Sequence, residues 1–252
     1  MKSEKGLEYT ILGEGTPIVW VHGLCENYEM WFDCLKALPN FKHILLNLPG
    51  CGNSAPWVDF SLNDIVSELI SILNSHNITQ AHFIGHSMGG YVGLELIHQT
   101  NICKAIFLVN SSAYADSEEK KKNRERGVQV LLQNRELYML EFFKNLYSEE
   151  FKQKHMDVVR SQYEASKSIP IDTVIATMRS LMHRSDHEET LKQATLRKIF
   201  IAGSEDAVIP LPDIEKQARN TGSELFVMMG CGHVSPIEQP QEFIAILKNL
   251  LY

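Results

Sequence analysis

Ala81-His-Phe-Ile-Gly-His-Ser-Met-Gly-Gly-Tyr91 decides how this chain folds. Its first four residues form a short apolar run of strand character, and the residues from Gly90 to His98 read as a helix. Between them, Gly85-His-Ser-Met-Gly89 must turn the chain from strand to helix with nothing to spare. A turn that sharp holds Ser87 above the sheet edge in a strained backbone conformation. Side chains two residues to either side would collide there, which is why positions 85 and 89 carry glycine.

Outward from this turn, similar short runs recur at Ile18–Val21, His43–Leu48 and Lys104–Val109. They are nearly continuous rather than alternating, the pattern of strands buried on both faces. Leu62 to Asn74 places apolar residues at 62, 65, 66, 69, 70 and 73, the spacing of an amphipathic helix. Strands alternating with helices imply an α/β fold with a mostly parallel sheet covered on both faces.

The rhythm stops after Asn110. From Ser117 to Ala194 the sequence reads as helix with no strand, and it is rich in large side chains such as Phe142, Phe143 and Met178. It resumes with strands at Lys198–Ala202 and Glu224–Met229 and a closing helix over Gln239–Leu250. An all-helical segment is thus inserted into an α/β domain. The run Glu118–Arg126 that opens the insertion mixes charge signs and reads as a solvated helix face.

A serine hydroxyl is a poor nucleophile at neutral pH and needs a base oriented by a carboxylate. Downstream, Asp206 follows the strand at 198–202 and His233 follows the strand at 224–229, each in the loop past a strand's carboxyl end. In open α/β sheets that edge is where sites form, and the order Ser87, Asp206, His233 is the one this turn motif requires. Glu205 is the second candidate acid. His22 and His86 flank the site and read as residues that hold loops by hydrogen bonds.

At these residues the sequence resembles the α/β-hydrolase superfamily, in particular its compact members with a helical cap. The resemblance implies Ser87 as nucleophile, His233 as general base and acid, and Asp206 as the group that orients His233. Val21-His-Gly-Leu-Cys25 is similar to the superfamily's H-G loop, which implies that the backbone N–H groups of Leu24 and Met88 form an oxyanion hole. It further implies a core domain of residues 1–111 and 195–252 and a cap of residues 112–194. Serine at the turn sets the chain apart from dehalogenases and epoxide hydrolases of this fold, which carry aspartate there. Asn47-Leu-Pro-Gly-Cys-Gly-Asn-Ser54 departs from the family pattern at Asn47 and Cys51, read as scaffold and cleft-rim positions. Gly50 to Ala55 also fits G-x-G-x-x-A, but Pro56 stands where a phosphate-binding helix would already run.

The expected activity is hydrolysis of a small to medium, partly apolar ester or related acyl compound, with no cofactor and no metal. Carbon–carbon bond hydrolysis, thioester hydrolysis, acyl transfer or ligand sensing with slow turnover are the alternatives on the same triad. A net charge of −7 over 252 residues argues against nucleic acid as a partner. No run of about 18 apolar residues suggests a membrane span, and the N-terminus lacks a secretory apolar core, so the expected location is the cytoplasm. The five cysteines, Cys25, Cys34, Cys51, Cys103 and Cys231, contain no C-x-x-C pair and read as free thiols. His183, Asp186 and His187 have metal-compatible helical spacing but no third certain ligand, and read as solvated surface.

Overall fold

The computed structural model describes residues 1–252. Seven strands form one sheet: β1 (Tyr9–Leu12), β2 (Thr16–Val21), β3 (Phe41–Leu46), β4 (Ala81–His86), β5 (Cys103–Val109), β6 (Arg197–Gly203) and β7 (Glu224–Met228). Their order across the sheet is β1-β3-β2-β4-β5-β6-β7. Every pairing is parallel except that of β1 with β3, which is antiparallel, Tyr9 lying opposite Leu46.

Apolar side chains leave the strands on both faces, as their unbroken patterns require. On β2, Val19 and Val21 join a large core that includes α2 (Leu62–Ser75) and α3 (Met88–Gln99). Ile18 and Trp20 enter a smaller core under α1 (Phe32–Ala37) and the C-terminal helix Pro240–Leu251. The start of α2 is fixed by Ser61, whose hydroxyl caps the Asp64 amide while the Asp64 carboxylate returns a bond to the Ser61 amide.

Between β5 and β6 the chain makes six helices and no strand: α4 (Glu118–Gln133), α5 (Arg135–Leu146), α6 (Glu149–Lys154), α7 (Met156–Ser166), α8 (Ile171–Met182) and α9 (Glu188–Gln193). Their large side chains, Phe143 and Met178 among them, extend the larger core over the carboxyl edge of the sheet. The charged run departs from a wholly solvated face at Arg124. Its guanidinium turns inward, with that of Arg184, onto the buried carboxylate of Asp116, because a carboxylate removed from water needs a cation beside it. No helix is long and apolar enough to cross a membrane.

From β2 the chain crosses outward to β3, then returns to β4 on the other side of β2. The loops after β2 and β4 therefore diverge at neighbouring strand ends, and a crevice opens between them.

Candidate active site

Ser87 joins β4 to α3 with φ 48° and ψ −112°, a conformation a β-carbon resists. The flanking glycines leave room for it. A β-carbon on Gly85 would lie 2.4 Å from the Gly89 backbone, and one on Gly89 would lie 2.1 Å from the Val21 carbonyl oxygen. The Ser87 amide donates to the Val109 carbonyl at 2.9 Å, and its carbonyl accepts from the Ser111 hydroxyl at 2.8 Å, so the end of β5 and the loop that follows it clamp the strained residue from the side.

The structure brings the three sequence-selected residues together. His233 Nε2 lies 2.9 Å from Ser87 Oγ, and His233 Nδ1 lies 2.8 Å from Asp206 Oδ2. Asp206 Oδ1 accepts from the amides of Val208 and Ile209 at 2.8 and 2.9 Å, while Asn110 Nδ2 donates to Oδ2 at 3.1 Å. Burial alone would raise the Asp206 carboxyl. The adjacent His233, the Ile209 amide and Asn110 outweigh it and hold the carboxyl below its ordinary range. Glu205 is exposed, and no hydrogen bond joins its side chain to His233.

Met88, which follows the serine, and Leu24 line one small gap. Met88 is the first residue of α3, where a helix leaves its N–H without an acceptor one turn back and where the dipole favours negative charge. The N–H of Leu24, in the loop after β2, finds no acceptor in the chain. A hydroxyl bonded to an imidazole whose other nitrogen faces a buried carboxylate is an arrangement that can attack a carbonyl.

Sequence reading passed over Asn110, Glu26 and Glu238. Asn110 sits at the carboxyl end of β5 with φ 44° and binds Asp206, the Gly232 carbonyl and the Ser235 hydroxyl. The signal available was a polar residue directly after a buried strand on the site's edge of the sheet. Glu238 accepts from the amides of Gly232 and Ser148, both at 3.0 Å, joining the His233 loop to the helical insertion.

His22 and His86 hold loops, as expected. His22 Nδ1 donates to the Gly23 carbonyl and Nε2 accepts from the Leu48 amide, so the ring is neutral; burial pushes its pKa down to about 4. Asn47 is a scaffold residue, bridging the Tyr28 amide and Glu8. Cys51, expected at the cleft rim, is instead buried, with Leu24, Met88 and Val174 around a small gap behind the H-G loop. Residues 50–53 form turns, and the chain does not enter another helix until Leu62. His187 pairs with Glu95, and Asp186 accepts amides of Ala115 and Glu188, so these residues are engaged separately. All five cysteines are buried and unpaired.

A cavity of about 520 Å³ lies between the insertion, which contributes Tyr138, Phe142 and Met178 among others, and Leu24, Tyr91, Val208 and Ile209 of the sheet-bearing part of the chain. Hollows of about 600 and 940 Å³ elsewhere are mostly polar and reach none of these site residues.

The sequence profile of the alpha/beta hydrolase family matches residues 18–246. Over 236 residues the chain is 26% identical to a 3-oxoadipate enol-lactonase 1 of Acinetobacter baylyi, covering 93% of this chain and 88% of that protein. It is 26% identical over 262 residues to a pimeloyl-(acyl-carrier protein) methyl ester esterase of Vibrio vulnificus, covering 94% of each. Among solved structures, a thermophilic esterase from Thermogutta terrifontis superposes with a TM-score of 0.90 at 25% identity, covering 97% of this chain and 92% of that one.

Proposed function

Since the chain belongs to the alpha/beta hydrolase family, we propose that it is a serine hydrolase that cleaves a small to medium, partly apolar carboxylic ester or related acyl compound through an acyl-enzyme. The observation that carries this reading is the bridging of Ser87 Oγ and Asp206 Oδ2 by the two nitrogens of His233, at 2.9 and 2.8 Å.

In the proposed reaction Ser87 Oγ attacks the substrate carbonyl carbon while His233 Nε2 takes its proton. The Leu24 and Met88 amides receive the oxyanion, and Asp206 stabilises the imidazolium that has formed. Collapse breaks the bond to the leaving alcohol, which takes the proton from His233. Water, deprotonated by His233, then attacks the acyl carbon; Ser87 leaves with the proton and the acid departs. We assign residues 112–194 the role of a cap, whose side chains Tyr138, Phe142 and Met178 face the cavity and accommodate the apolar part of the substrate.

Oxygen esters are preferred over other acyl compounds because the relatives above are named as a lactonase and a methyl ester esterase. Hydrolysis of a panel of esters, lactones, thioesters and vinylogous diketones tests this, with Ser87→Ala as control. Turnover of the diketones alone would reassign the chain to carbon–carbon bond hydrolysis.

A further inference from the structure

Behind the site lies a second histidine–carboxylate pair, which the reaction as proposed does not use. Glu26 is in the loop after β2, and His86 ends β4 immediately before Ser87; their side chains are 3% and 1% exposed. His86 Nδ1 lies 2.8 Å from Glu26 Oε2, and His86 Nε2 lies 2.7 Å from the backbone carbonyl oxygen of His233. The same Glu26 oxygen also accepts from the Gly23 amide at 2.7 Å.

Both ring nitrogens of His86 thus face oxygens that accept. A neutral imidazole has one N–H and would direct its other lone pair at an oxygen lone pair within 3 Å, in a buried place where water cannot intervene. With Glu26 ionised, only the imidazolium satisfies both contacts. Burial by itself would neutralise both groups, but the carboxylate beside it holds His86 above its ordinary range, and the imidazolium holds Glu26 below its own.

We propose that Glu26 and His86 are positioning residues, a buried carboxylate–imidazolium pair that locks the Leu24 loop, the Ser87 turn and the His233 loop into one rigid frame. The lock reaches Leu24 through the Gly23 amide, Ser87 through the adjoining peptide, and His233 through its carbonyl. The glycine at 23 is required for space: a β-carbon there would lie 2.7 Å from Glu26 Oε2 and 2.8 Å from His86 Nδ1.

The charged and titratable neighbours fit this assignment. His22, on the same loop as Glu26, is neutral and adds no charge. The His86 and His233 rings stand 5.2 Å apart. When His233 takes the serine proton, two imidazolium ions face each other, and each has its own carboxylate, Glu26 for His86 and Asp206 for His233.

The proposal rests on the roles given above to Ser87, His233 and the two amides, and its first test is independent of them. Nitrogen-15 NMR of the imidazole rings of the wild-type protein at about pH 8, above the ordinary imidazole range, should show both His86 nitrogens carrying protons. The assignment comes from the signals lost in His86→Gln. An unprotonated nitrogen on His86 would overturn the charged pair, whatever the enzyme's activity. In Glu26→Gln, kcat should fall about 10–100-fold with KM changed less than about threefold, the cost of misplaced but intact chemistry. A folded Glu26→Gln protein with wild-type kcat would overturn the positioning role. If that variant does not fold, the wild-type spectrum still decides.

Discussion

The backbone N–H of His233 donates to the carbonyl oxygen of Leu146 at 2.7 Å, so the proposed base is held by the last residue of α5, in the helical insertion. The next residue but one, Ser148, gives its amide to Glu238, which also takes the amide of Gly232. Both sides of the His233 loop are therefore tied, its carbonyl to His86 and its amide to the insertion. The insertion supplies none of the proposed reacting groups, yet one of them depends on it for position.

Ser87→Ala should remove ester turnover, by about 10⁴–10⁶-fold, and abolish labelling by a fluorophosphonate. Circular dichroism and melting temperature should stay near wild type, because only one partly exposed oxygen is lost. Residual activity above about a tenth would mean that another nucleophile operates.

Asp206→Asn should cost about 10⁴-fold in kcat/KM, since an amide can no longer hold the Nδ1–H tautomer of His233 and stabilise its cation. Asn110→Ala, which deletes one bond to that carboxylate, should cost about 10–100-fold. Glu205→Gln should be nearly silent. Steady-state kinetics on the three variants give the ranking, and a severe Glu205→Gln phenotype would transfer the orienting role.

The structure separates two neighbouring aromatics that look alike in the sequence. Phe142 and Met178 line the cavity, whereas Phe143 is fully buried in the core. Phe142→Ala or Met178→Ala should shift preference among acyl chain lengths by about 1–3 kcal/mol in transition-state binding, for about 50–100 Å² of lost apolar contact. Phe143→Ala should instead destabilise the fold by about 3–5 kcal/mol with chain-length preference little changed. Competition kinetics over a homologous ester series, with thermal melts alongside, distinguishes the two outcomes.

The Glu26–His86 pair also shapes stability against pH. The carboxyl is lowered on folding, so its contribution is present above the ordinary carboxylate range and is lost as pH falls through the folded value. The imidazole is raised, so its contribution is present below the ordinary imidazole range and is lost as pH rises through the folded value. Melting temperature should therefore be greatest between these limits, with Asp206 adding to the acid-side loss. The double variant Glu26→Gln/His86→Gln should flatten the profile on both sides, as differential scanning calorimetry would show. An unchanged profile would mean that other groups set it.

The turn at Ser87 was legible because its demands are local: two glycines, a strand before and a helix after. Asp206 and His233 were legible because each follows a buried strand on the side of the sheet where sites form. Glu26, Asn110 and Leu146 were not. Glu26 meets His86 across 60 positions and Asn110 meets Asp206 across 96, and no local pattern encodes such partners. Leu146 acts through its carbonyl, which every residue has. Of the elements, β1 is four residues long and pairs at the edge, too short for its alternation to register. The strand expected over His43–Leu48 ends at Leu46, because Asn47 is drawn into a polar cluster with Glu8 and Tyr28.

The buried thiols have a use that needs no role in the reaction. Burial pushes Cys25, Cys34, Cys103 and Cys231 up to about 12 and Cys51 well above its ordinary value, so almost none of the reactive thiolate exists while the chain is folded. They stand in five different places: the H-G loop, α1, the loop after β3, the first residue of β5 and the His233 loop. Alkylation of each should therefore wait for its own stretch of chain to open. Peptide-resolved labelling rates would then make the native cysteines five internal clocks, recording which part of the molecule loosens first and whether the site breathes separately from the sheet that carries it.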